Sequence, residues 1–214
     1  MKVAILSMQQ IKNYGSFLQA FSLKKNIESL GHTCEFINII PGEQLEGYKT
    51  SCFHNIKLLF QRLWGWDFYK RFQTIFVFQN RFRKEFLPYL GVKKGINTKH
   101  YDVVVIGSDE VFNCAQKTWF GFSSQLFGEG LNANRIITYA ASFGATTTDK
   151  LQLVGKKEIV SSLLHDLDAI SVRDENSMKV IEELTGKIPW LHVDPVLIFD
   201  YNQFIPNNFN RSKY

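Results

Sequence analysis

Cysteine is scarce in this chain. Its three residues, Cys34, Cys52 and Cys114, lie far apart and form no CxxC pair. An odd, dispersed set does not make the disulfide framework of a secreted domain, and a reducing, cytoplasmic compartment fits it. No apolar run approaches the ~18 residues that cross a bilayer. The amino terminus, MKVAILSMQQ, turns polar after Ser7, too early for a signal-peptide core of about 7–15 apolar residues. A peripheral place at the inner face of a membrane stays open. GxGxxG, GxxxxGK[ST] and GxSxG are all missing, so no nicotinamide, P-loop or serine-hydrolase signature is present. The five histidines, His32, His54, His100, His165 and His192, show no HxH or HExxH spacing, and no metal site is expected. Internal repeats and low-complexity tracts are also absent.

What is present is an ordinary globular composition of 214 residues, 45% apolar and 21% charged. That suffices for one substantial core and is short for two full domains. Phenylalanine stands out at 19 residues. The net charge of +5 is unevenly spread. Residues 1–100 hold 15 Lys/Arg against 6 Asp/Glu, and residues 101–214 hold 10 against 14. The first half therefore suits anionic partners, or is simply solvated.

The pattern alternates between strand and helix. Lys2–Ser7 reads as a buried strand, and 8–15 as a polar loop. Ser16–Leu30 reads as a helix stopped by Gly31, and Thr33–Ile40 as a second strand. Residues 43–100 break this rhythm with two expected helices, Asn55–Trp66 and Asp67–Leu87. The alternation then resumes with strands at 102–106, 135–140, 169–172 and 190–193, and helices at 149–164 and 176–185. Such alternation predicts an α/β fold, a mostly parallel sheet with helices on both faces. We expect one domain over 1–200, with 43–100 as a helical, basic, aromatic insertion. Residues 201–214 should be a linker or frayed end.

Ligands of open parallel sheets bind beyond the carboxyl ends of the strands. The strand-end loops carry Asn13-Tyr14-Gly15-Ser16, Gly107-Ser108-Asp109-Glu110, Ser142-Phe143-Gly144, Arg173-Asp174-Glu175 and Asp194. Small and polar residues thus collect after strand after strand, as in a cleft built from loops on a rigid sheet. Individually each loop also has a plain structural role. Ser16 can cap the first helix, Asp109 the next one, and Arg173 can pair with its acidic neighbours at a helix start. As chemistry, Gly15 permits close backbone approach, Asp109 can accept or orient a hydroxyl proton, and the Arg173 fork suits carboxylate or phosphate. Cys114 has no evident activator and is read as a bystander. His192 is read as a buried structural residue.

Segment 55–100 holds 10 Lys/Arg and 2 Asp/Glu among many aromatics. It can pack its rings inward as a subdomain or lie on an anionic membrane surface. Nucleic-acid binding has no RNP motif, helix-turn-helix or zinc finger to support it, and is not expected.

Taken in order, NYGSFLQAFSLKKNIESLGH, YDVVVIGSDEVFN, ITYAASFG, LDAISVRDENSMKVIEELTG and HVDPVLIFD resemble the polysaccharide pyruvyl transferase family over most of residues 1–200. The match is weakest across 43–100. Glu110 stands where Gln is usual, Phe112 where Trp is common and Asp174 where Glu is common. The resemblance implies a transferase that moves the enolpyruvyl group of phosphoenolpyruvate onto two sugar hydroxyls as a ketal, in exopolysaccharide biosynthesis. It implies no cofactor or metal beyond that donor, and a saccharide acceptor, free or lipid-linked. The implied fold is glycosyltransferase-B-like, with two Rossmann-like domains facing a cleft. On this view the chain holds the first domain, and much of the donor-binding Arg/His set belongs to a second one. Carried over residue by residue, Asp109 becomes the candidate base and Arg173 the candidate anion clamp. Asn13, Tyr14, Gly15, Ser16, Gly107, Ser108, Ser142, Phe143, Gly144 and Asp194 line the cleft. Two rivals are a nucleotide-sugar glycosyltransferase of the same architecture and a non-catalytic module that binds glycan or membrane.

Overall fold

The computed structural model describes residues 1–48, 76–92 and 99–204. Of the expected insertion, 49–75 and 93–98 lie outside the described residues, as do 205–214 of the expected terminal linker. Six strands form one sheet, all parallel: β1 (Lys2–Leu6), β2 (Thr33–Phe36), β3 (Tyr101–Asp109), β4 (Ala133–Ala141), β5 (Ser171–Val172) and β6 (Trp190–Leu191). Their spatial order is β2-β1-β3-β4-β5-β6. This is a doubly wound, Rossmann-like α/β sheet, and its winding direction reverses between β1 and β3.

The period-two pleat explains why the central strands are apolar throughout. Ala4 and Leu6 of β1, with Val104 and Ile106 of β3, join one buried cluster, which includes Phe112, Phe127, Phe143, Val160 and Ile181. Val3, Ile5 and Val105 face the other cluster with Phe17, Phe21, Phe82 and Leu90. Each face therefore has its own helical cover.

Helix α1 (Tyr14–Ser29) covers the second face. It begins at Tyr14 and not at Ser16, because Asn13 is its cap: the Asn13 side chain accepts the Gly15 N–H at 2.7 Å. Ser16 is buried inside the first turn, which corrects the expectation that it caps. Gly31 at φ +82° follows the helix, as expected. The loop after β1 is less polar than its sequence suggests. Met8 and Gln9 are buried, and Gln9 bridges the Ser7 N–H and the Ile37 carbonyl.

Residues 76–81 are helical and lead into a π-helical turn at Phe82–Phe86 and α2 (Leu87–Leu90). Phe78, Phe82 and Phe86 surround the Tyr14 ring at centroid distances of 5.1, 5.9 and 5.1 Å. In this stretch part of the aromatic content thus packs inward against α1. The single helix expected at 149–164 is two, α3 (Thr148–Leu153) and α4 (Lys157–His165), parted at Gly155 with φ +65°. Helix α5 (Glu175–Thr185) ends at Gly186 in the left-handed region, as its sequence predicts. A short α6 (Pro195–Ile198) is capped by Asp194.

Candidate active site

Parallel register brings the motifs together. Asp109 of β3 sits beside Ala141 of β4, and Ala141 beside Val172 of β5. Ser142 N–H donates to the Asp109 carbonyl at 3.0 Å, and Arg173 N–H to the Ala141 carbonyl at 3.2 Å. Consecutive strand ends thus place Asp109, Ser142 and Arg173 in a row. His192 N–H reaches Val172 O at 2.9 Å, which carries the row on towards Asp194.

The row holds one charge cluster. Arg173 Nη1 donates to Asp194 Oδ2 at 2.9 Å, and Nη2 stands 3.7 Å from Asp109 Oδ1. All three side chains are mostly shielded, between 15% and 21% exposed, so solvent screens the charges less than at an open surface. The expected local pairing of Arg173 with its acidic neighbours does not form. Asp174 instead caps α5 through the Ser177 N–H at 2.8 Å. Asp109 caps no helix. Its Oδ1 takes the N–H of Glu110 at 2.8 Å, which leaves Oδ2 without a hydrogen bond among the described residues. Its backbone is held at φ +83°, a conformation that costs a non-glycine residue about 1–3 kcal/mol and concentrates at functional sites.

Two glycines are explained by close approach. Gly107 has φ +122°, and a Cβ there would lie 2.3 Å from the Tyr139 carbonyl oxygen. Gly144 has φ +54°, and a Cβ would meet Glu110 Oε2 at 2.4 Å and Asn113 Nδ2 at 2.6 Å. The missing side chain of Gly144 is what admits the Glu110 carboxylate, itself held by Asn113 Nδ2 at 2.6 Å. Asn176 Nδ2 fixes the same turn through the carbonyls of Gly144 and Thr146, at 2.9 and 3.0 Å. Ser142 Oγ accepts the Gly144 N–H at 2.9 Å. Ser108 is fully buried at the β1/β3 reversal. Its carbonyl takes the Ser7 hydroxyl at 3.0 Å, and its own Oγ has no partner among the described residues.

Not every expected residue turns its side chain to this cluster. The Phe143 ring is fully buried, 5.0 Å from Phe112 in the core, and contributes only its backbone to the turn. Asn13 is engaged as a helix cap, and the Tyr14 ring, 42% exposed, leans on Phe78 and Phe86. Asp194 has both oxygens engaged internally, Oδ1 by the Val196 N–H at 3.0 Å and Oδ2 by Arg173 and Gln19. Its place is to hold Arg173. His192 corrects the expectation of a buried histidine: it is exposed, with its ring 5.3 Å from Tyr139. Burial, and then the Asp194 charge, push the Tyr139 phenol above its usual pKa. Cys114 is buried, and desolvation pushes its thiol up to about 12, an unreactive form.

Sequence reasoning passed over Gln19, Tyr139 and Asn176. Only Gln19 left a signal, as a lone amide inside the apolar stretch FLQAF of α1. Among the described residues no His, Cys, Asp and Glu group in threes to hold a metal ion, and no helix is long and apolar enough to cross a membrane.

None of the curated proteins and none of the solved structures matches this chain. A family model does: that of polysaccharide pyruvyl transferase, over residues 13–209. The match takes in the cap of α1, the Asp109 strand end, the Ser142–Gly144 turn, Arg173 and Asp194, the elements that converge at the carboxyl end of the sheet. By that match over most of its length, the chain belongs to the polysaccharide pyruvyl transferase family.

Proposed function

We propose that the carboxyl-end cluster is this chain's part of a site that ketalises a sugar diol with the enolpyruvyl group of phosphoenolpyruvate. In that reaction the donor's C2 gains bonds to two sugar oxygens and its C–O bond to phosphate breaks. The methylene carbon takes up one proton and becomes a methyl group. The two hydroxyl protons leave, one balancing that uptake and the other passing to solvent or phosphate. The supporting observation is the Asp109–Arg173–Asp194 cluster. Asp109 keeps Oδ2 open while its Oδ1 takes the Glu110 N–H and lies 3.7 Å from the guanidinium, a carboxylate that can orient a sugar hydroxyl and accept its proton. Arg173 steadies the carboxylate and offers its remaining donors to the carboxylate or phosphate of the donor. One guanidinium between two carboxylates leaves the cluster net negative, so it holds a multiply anionic donor weakly, and further cations beyond it would tighten that hold. This agrees with a glycosyltransferase-B-like arrangement in which a second Rossmann-like domain closes the cleft.

The acceptor is a saccharide of a surface or exopolysaccharide pathway, free or lipid-linked, handled in the cytoplasm at the inner face of the membrane. Support for the membrane side comes from 76–92. Val77, Tyr89, Arg83 and Lys84 are exposed there, an apolar and basic composition suited to anionic headgroups. No cofactor is required besides the donor.

Calorimetric titration of the 214-residue chain with phosphoenolpyruvate, against inorganic phosphate and pyruvate, tests the reading. Saturable binding of phosphoenolpyruvate that Arg173→Ala abolishes is the expected result. Heat that phosphate alone reproduces, or that survives Arg173→Ala, would sink the assignment of Arg173 to the donor.

A further inference from the structure

The geometry points to Gln19 as the positioning residue of the Arg173 cluster, acting through Asp194. The positioning is a property of the free chain, while its meaning for transfer rests on the function proposed above.

Gln19 lies on α1, between the buried Phe17 and Phe21. Its Nε2 donates to Asp194 Oδ2 at 2.5 Å. The same oxygen receives Arg173 Nη1 at 2.9 Å, and the other takes the Val196 N–H at 3.0 Å. The amide has one workable orientation, since only its NH2 end can face a carboxylate. That orientation leaves Gln19 Oε1 buried with no donor among the described residues. Stranding a carbonyl is unfavourable, and it is tolerated here because the other end of the amide meets an anion.

The consequence is mechanical. With the Gln19 amide as a second donor on Oδ2 and the Val196 N–H on Oδ1, Asp194 is fixed in one setting, and it fixes one terminal nitrogen of Arg173. The planar fork then has a set direction, with Nη2 turned towards Asp109 Oδ1 at 3.7 Å. Residues 19, 173 and 194 come from three separate elements, and the link from α1 to Asp109 runs through side chains alone. Without the amide donor, Asp194 Oδ2 keeps only the guanidinium. Asp194 is then anchored to the rest of the chain only through the Val196 N–H on Oδ1, the ion pair can swing about that tether, and Asp109 Oδ1 loses its defined neighbour.

Nitrogen-15 NMR of guanidinium groups in the full chain reads this directly. An arginine fork held on a carboxylate rotates slowly and shows separate terminal nitrogen signals. Those of Arg173 are identified by their disappearance in Arg173→Lys. We expect separate signals in the wild type and one averaged signal in Gln19→Leu, with circular dichroism and melting temperature little changed. Gln19→Glu keeps the length and polarity of the side chain but sets a carboxylate against Asp194. It should average the Arg173 signals as well, and it decides the matter if Gln19→Leu fails to fold. Separate signals that persist in a folded variant, or an averaged Arg173 signal in the wild type, would overturn the proposal. Titration of the same samples with phosphoenolpyruvate separates the two ideas. If the wild type binds none while the Arg173 signals respond as expected, the proposed function fails and the positioning stands.

Discussion

The two ends of the parallel sheet differ in kind. The amino end holds room: a cavity of about 610 Å³ lined by Lys2, Val3, Thr33, Cys34, Glu35, Lys99, His100 and Tyr101. Glu35 there accepts the Tyr101 hydroxyl at 2.6 Å and Lys99 Nζ at 2.9 Å, with Lys99 well exposed. Backbone strain gathers instead at the carboxyl end, where Asp109 and Ala140 have φ of +83° and +48°. A buried Ser108 hydroxyl with no partner among the described residues and a shielded Arg–Asp cluster lie there too. Open space at a strand start is by itself a poor guide to chemistry. Desolvated charge and costly backbone need a reason, and space between strand starts does not.

The largest effect should come from forcing a side chain into the strained end. Gly107→Ala sets a Cβ against the Tyr139 carbonyl at φ +122° and should destabilise the chain by about 4 kcal/mol, measured by urea unfolding. A loss below ~1 kcal/mol would show that the β3–β4 contact yields easily and would weaken the contrast between the two ends.

Next in size is Arg173→Ala, which leaves Asp109 and Asp194 facing each other without the cation. Removing one partner of a fully buried pair costs about 3–5 kcal/mol. The cluster is about one-fifth exposed, and solvent screening brings the expectation to about 2 kcal/mol. A melting temperature unchanged from wild type would mean the cluster is no more than a surface ion pair.

Alkaline pH tests burial at both ends. Desolvation pushes the thiols of Cys34 and Cys114 from 9.0 up to about 12. Between those values the unfolded chain has lost these protons and the folded chain still holds them. Their contribution is therefore complete below pH 9 and declines as pH rises towards 12. Cys114→Ala should flatten that decline in chemical denaturation measured across the range. An equally steep slope in the variant would place the pH dependence elsewhere, with the Tyr139 phenol as the next group to replace.

The smallest effect belongs to the amino end. Lys99→Ala removes an exposed pairing with Glu35 and should change stability by less than ~1 kcal/mol. It should also leave any phosphoenolpyruvate heat unaltered. A tenfold weaker titration in Lys99→Ala would move the anion site to the opposite end of the sheet.

Much of the fold is legible in the sequence because it is local. Strand cores such as Val103–Ile106 and the Gly31 and Gly186 stops follow from hydrophobic period and backbone freedom. The helix expected as one piece at 149–164 shows the limit of that reading, since Gly155 interrupts an otherwise continuous pattern. At the carboxyl end of the sheet, the strand-end rule singled out Asp109, Arg173 and Asp194, which the structure brings into one cluster. It did not say that Arg173 would ignore Asp174, its neighbour in the chain, for Asp194, 21 residues away. Nor could it separate Phe143, whose ring is core, from Ser142 beside it.

Spacing along the chain is enough to give the alternation of elements, the family and which loops gather at one end of a parallel sheet. These depend on spacing and on residues near each other in the chain. Only the tertiary structure decided which charges pair, which carbonyl forbids a side chain at Gly107, and that Gln19 on the first helix reaches Asp194. Those outcomes depend on side-chain contacts of 2.5–3.7 Å between residues up to 175 apart, set by sheet register and packing that no local pattern encodes.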